Sequence, residues 1–141
     1  MAWLKAELAA HSPDAPGGLK GGRNRLIVIF SHHNSATMAN PVLAPGETAP
    51  RVMGAEILKE FLAWSNMVLW VNGHSHRNQV LVNPGPCGGF WEVNNAAHID
   101  YPHHSPLVEL NEHGDGTLSS FATLFDMSTP PTAGRQLNPG G

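Results

Sequence analysis

Apolar positions in this chain fall into short continuous runs and one periodic stretch. RLIVIF, residues 25 to 30, and MVLWV, residues 67 to 71, are β-branched, aromatic and too short for helices, so each predicts a strand buried on both faces. Between them, from Pro50 to Trp64, the residues Met53, Ile57, Leu58, Phe61 and Leu62 follow the helical period of about 3.6, while Arg51, Glu56, Lys59 and Glu60 occupy the other face. This predicts an amphipathic helix that tolerates Gly54. Strand, helix and strand in that order make a βαβ unit, which brings the carboxyl ends of both strands to one edge.

Upstream, Leu4 and Leu8 stand four apart among good helix formers and predict a short outer-layer helix over residues 2 to 10, ending before SPDAPGG. Ser12 to Asn24 reads as loose chain. Ser35 to Ala49 is too long for a simple connector and has the character of a binding loop. Downstream, QVLVN, FWEVN, PLVEL and TLSSFATLF read as four further strands, the last two paired as a hairpin around Gly114 to Gly116. The fold class is therefore α/β, and 141 residues predict one core and not two. MSTPPTAGRQLNPGG, residues 127 to 141, has too few large apolar residues to offset its ordering entropy and is expected to be disordered.

Charge narrows the function classes. Eight Lys and Arg against eleven Asp and Glu give a formal charge of −3, which leaves no basic footprint for a nucleic-acid backbone. No apolar run approaches the roughly 20 residues that cross a bilayer. The opening MAWLKAELAA carries Lys5 and Glu7 where a signal peptide needs an unbroken apolar region, so no export address is read in it, and no compartment is assigned. The one cysteine, Cys87, lies in NPGPCGG and reads as a turn residue without an internal disulfide partner.

What the chain has in place of charge is histidine, nine of them, in a composition only 13% charged. Ligands of open α/β sheets bind outside the carboxyl ends of the strands. Here the first βαβ strand runs into His32 and His33, and the second into His74 and His76, so three or four imidazoles are expected on one edge. His32, His74 and His76 are the candidate metal ligands. The i, i+2 spacing of His74 and His76 can send their rings to different sides, which suits two ions, and Gly73 lets the backbone turn beneath them. His33 competes with its neighbour for one direction and is assigned to substrate or to orientation of a ligand. Asn34 and Arg77, each beside a ligand, are candidates for a phosphate contact. His103 and His104 lie in a Pro-flanked stretch and read as exposed loop, and His11 and His113 read as surface turns.

IVIFSHHN, followed after a helix by VNGHSHRN, resembles the second half of the calcineurin-like metallophosphoesterase superfamily, whose ordered motifs are D-x-H, G-D-x-x-D, G-N-H-[DE], a strand-terminal H and G-H-x-H. GGFWEVNNAAHIDYP, then LVEL, a Gly/Asp turn and a strand ending in Phe-Asp, is further similar to an actinobacterial branch, so that the resemblance spans roughly residues 3 to 126. It implies that His32 and His74 bind one metal and His76 the other, and that the activity is hydrolysis of a phosphate mono- or diester at a binuclear centre of Mn, Fe or Zn. Asp100, with His98 nearby, is a candidate to receive the second N–H of a ligating imidazole.

The first three motifs do not precede His32. The resemblance therefore implies the C-terminal portion of a layered β-sandwich with flanking helices. A bridging carboxylate, an amide ligand and a leaving-group acid would be supplied by an N-terminal half. Two cations repel at close range and need that carboxylate, so the three histidines alone are expected to hold at most one ion, weakly, and the isolated chain to be inactive. The alternative is a noncatalytic metal-binding or structural remnant.

Overall fold

The computed structural model describes residues 1–86, 88–101 and 103–126. Cys87 and residues 127–141, whose turn and disorder are expected from the sequence, lie outside the described residues. The architecture is mixed α/β in two compact units, Met1–Ala96 and Ala97 onward.

In the first unit, α1 (Ala2–Ala10) is followed by β1 (Ile27–Phe30), α2 (Gly54–Phe61), β2 (Met67–Asn72), β3 (Gln79–Gly85) and β4 (Gly88–Asn94). The sheet order is β1-β2-β4-β3. β1 and β2 pair in parallel, as the βαβ pattern requires, and β4 continues the parallel set on the far side of β2. β3 folds back antiparallel on β4 as an edge strand, where Pro84 sacrifices no central ladder bond.

The helices cover one face of this sheet. Leu8, Phe61, Trp64, Met67, Trp70 and Phe90 form the buried cluster. Phe61 meets Trp70 edge-on with centroids 5.2 Å apart and Phe90 at 5.9 Å, contacts each adding about 0.5–1.5 kcal/mol beyond area burial. An ion pair of 3.1 Å from Lys5 to Glu60 joins the two helices.

α1 is the outer-layer helix expected, with Leu8 turned into the core at 2% exposure. Two local expectations are corrected. The first strand is not buried on both faces. It lies at the sheet edge with Phe30 73% exposed, and it starts only at Ile27 because Asn66 Nδ2 draws the Arg25 carbonyl into a hydrogen bond of 2.6 Å. The same amide donates to the His11 carbonyl, and Asn66 Oδ1 accepts from buried Ser12, which ties the loose stretch down. The amphipathic helix starts at Gly54 rather than Pro50, since Met53 is extended and its N–H is taken by the Glu56 carboxylate at 3.0 Å.

The second unit contains β5 (His104–Glu112) and β6 (Leu118–Asp126), an antiparallel pair whose register runs from His104 opposite Asp126 to Glu112 opposite Leu118. The hairpin lies where the sequence puts it, with Gly114 and Gly116 both at positive φ and the Asp115 carboxylate capping Thr117. His104 is therefore the first residue of a strand and not a loop residue.

Candidate metal centre

The carboxyl ends of β1 and β2 bring three imidazoles together. Ligand nitrogens of His32, His33 and His74 all lie within 4.8 Å of one another, and all three residues are exposed. His32 Nε2 and His74 Nδ1 are 3.0 Å apart. The His33 ring stacks obliquely on His74 with centroids 4.0 Å apart, and His32 meets both rings edge-on.

Two turns carry these rings. In the first, the indole of buried Trp70 donates to Ser31 Oγ, which donates to the His33 carbonyl, both at 2.8 Å. Buried Asn34 accepts from Thr37 N–H through Oδ1, and its carbonyl accepts from Thr37 Oγ1. In the second, Gly73 N–H donates to the His32 carbonyl at 3.0 Å, joining the turns directly. His74 and His76 then both adopt left-handed backbone, φ 70° and 55°, a conformation uncommon for residues other than glycine, though His, Asn and Asp take it more often than the rest.

The Thr37 hydroxyl reaches the Asn34 carbonyl at 3.1 Å and His33 Nδ1 at 3.3 Å, and so orients the His33 ring. His74 is held below the ordinary histidine pKa, first by partial loss of hydration among the packed rings and then by repulsion from His33, His32 and His76. A neutral imidazole is the form that binds a metal.

These residues fit one divalent ion. At about 2.0–2.1 Å per zinc–nitrogen bond, neighbouring ligands of a tetrahedral ion stand about 3.3 Å apart, close to the separation of His32 Nε2 and His74 Nδ1. Among the described residues no carboxylate joins the group, so nothing in it would offset the repulsion of a second cation.

The other sequence candidates are placed as follows. His76 and Arg77 are exposed on the second turn, and His76 is not one of the three clustered residues. Asn34 is buried, its amide engaged with Thr37 N–H and, at 3.4 Å, with the Gly73 carbonyl. His98 and Asp100 are exposed residues of the second unit, the Asp100 carbonyl accepting from His103 N–H. His11 caps α1 beside Glu7, and His113 sits in the hairpin turn against Ser119.

His33, expected beside the ligands, lies with His32 and His74 in the cluster, and two residues the sequence did not single out join its surroundings, Thr37 and the buried carboxylate Glu92. A cavity of about 420 Å³ opens beside His33, with Thr37, Asn40, Arg51 and the apolar Met38, Val52 and Met53 in its wall. Comparison with family models, curated proteins and solved structures returns no match.

Proposed function

We propose that this chain carries the histidine-bearing part of a metal-dependent phosphoesterase, the C-terminal portion of a calcineurin-like layered β-sandwich. The reading rests on one observation, the convergence of His32, His33 and His74 at the ends of two parallel strands. A bound Mn, Fe or Zn ion would supply Lewis acidity toward a phosphoryl oxygen and lower the pKa of water. This chain's own contribution is to present three imidazoles in a fixed array, with the Thr37 hydroxyl orienting the His33 ring through Nδ1. The cavity beside His33 leaves room for the organic group of the ester, and Arg51 and Asn40 offer N–H donors on its wall. The binuclear centre would be completed by carboxylate and amide ligands from an N-terminal half, and this chain alone would hold one ion.

The second reading, a noncatalytic metal-binding or structural remnant, is favoured by the lack of any carboxylate in the group among the described residues. Both readings meet in one assay. The purified chain is offered a chromogenic phosphomonoester and a diester with Mn, Fe or Zn, alone and with a separately expressed N-terminal half bearing D-x-H, G-D-x-x-D and G-N-H-[DE]. Turnover only with the added half, abolished by His74→Ala, supports the phosphoesterase. Metal binding without turnover in either condition supports the remnant, and robust turnover by the chain alone overturns the need for a second half.

A further inference from the structure

Beneath the imidazoles the sheet holds a row of polar side chains where apolar ones would pack. Glu92, in the middle of β4, is 1% exposed. Its Oε1 accepts from Ser35 N–H at 2.8 Å and from Asn72 Nδ2 at 2.9 Å; its Oε2 accepts from Ser35 Oγ at 2.8 Å and Asn83 Nδ2 at 3.4 Å. Asn72 Oδ1 in turn accepts from Asn94 Nδ2 at 2.7 Å. Asn94 also donates to the Gly73 carbonyl, and its Oδ1 accepts from Ser75 Oγ.

These bonds end at the histidine turns. Ser35 closes the turn that carries His32 and His33, while Gly73 and Ser75 flank His74. A buried carboxylate is retained only where donors satisfy it, and three of the four bonds here come from Ser35 and Asn72, the chain on either side of the imidazole cluster. We propose that Glu92 is the positioning residue of the site: it fixes the distance between the two turns, holding one through Ser35 and the other through Asn72 and Asn94.

This rests on the metal-binding reading of the cluster, and the experiment separates the two. Full-length chain is prepared as wild type, Glu92→Ala, Glu92→Gln, Ser35→Ala and Phe61→Leu, the last a core change outside the polar row. Two quantities are measured: nuclear Overhauser contacts between the His33 and His74 rings without metal, and zinc affinity by competition with a chelating dye. Glu92→Ala should lose the ring contacts and bind zinc roughly 10–100-fold more weakly, the range typical for partners that orient metal ligands. Glu92→Gln keeps an acceptor for Ser35 N–H and Asn72, and should recover most of both. Ser35→Ala should fall between, and Phe61→Leu should leave both quantities as in wild type.

Ring contacts and zinc affinity unchanged in folded Glu92→Ala, or an equal loss in Phe61→Leu, overturn the proposal. Should Glu92→Ala not fold, Ser35→Ala decides: weakened contacts support the proposal, unchanged ones overturn it. If wild type binds no zinc, the metal reading fails by itself, and the ring contacts alone judge the role of Glu92.

Discussion

Replacing Gly54 by alanine tests how closely α2 is pressed against the first histidine turn. An added Cβ would lie 1.9 Å from the Ser35 carbonyl oxygen and 2.8 Å from its carbon, both backbone atoms, where real contacts stay beyond 3.0 Å. One of the two segments must retreat by more than 1 Å. If Ser35 retreats, its two hydrogen bonds to Glu92, both 2.8 Å, stretch past the useful limit of about 3.5 Å. Bonds to a carboxylate are each worth about 1.5–3 kcal/mol, while alanine in a helix gains about 1 kcal/mol over glycine. The balance is a loss of about 2–5 kcal/mol. Urea unfolding followed by circular dichroism measures it, and zinc affinity should fall alongside because Ser35 belongs to the turn of His32 and His33. A variant as stable as wild type, or more stable as expected for an exposed helical glycine, would refute the close approach and with it the coupling of helix to site.

Three other substitutions or conditions probe the site. His76→Gly should be more stable than His76→Ala by about 1 kcal/mol in urea, since both lose the imidazole and only glycine is at ease at φ 55°; equal stabilities would refute the strain. His74 titrates in the folded chain below its unfolded value of about 6.5, so the folded state binds fewer protons. Its contribution to stability is complete above about pH 6.5 and is lost as pH falls from there through the folded value. Unfolding curves across that range should show a slope that His74→Ala flattens, and a slope unchanged by that substitution would contradict the shift. Thr37→Val removes the hydroxyl that meets His33 Nδ1 at 3.3 Å and should weaken zinc binding by roughly 10–100-fold at unchanged fold, read by calorimetry; undiminished affinity would show that this contact does not orient a ligand.

The strand and helix pattern was legible because each signal was local. Ala2–Ala10, the parallel pairing of β1 with β2 and the final hairpin all follow from spacing and turn residues within a few positions. The convergence of His32 and His74 was legible for the same reason: parallel strands joined by one crossover must end together. What escaped depends on side chains meeting across the sheet. In FWEVN, hydrophobicity alone turns Trp91 inward and Glu92 out, yet Trp91 is 46% exposed and Glu92 is buried, since Ser35, Asn72 and Asn83 supply its donors from distant parts of the chain. Gly54 looked like a blemish in a helix because its close neighbour, Ser35, is nineteen residues upstream. His33 needed Thr37, whose hydroxyl carries no pattern of its own.

The polar row also bears on how this sheet finds its pairing. On the opposite face, Leu69 pairs with Trp91, Val71 with Val93, and Val80 and Val82 follow on β3, a surface so uniformly apolar that many alignments of the strands would suit it equally. A slip of β4 by one residue would exchange its faces and set Glu92 and Asn94 among those valines, with a carboxylate and an amide stripped of their partners. Hydrogen bonding thus adds to the burial of Trp70 and Phe90 in rejecting misaligned sheets, and it does so with the same side chains that fix the distance between the histidine turns.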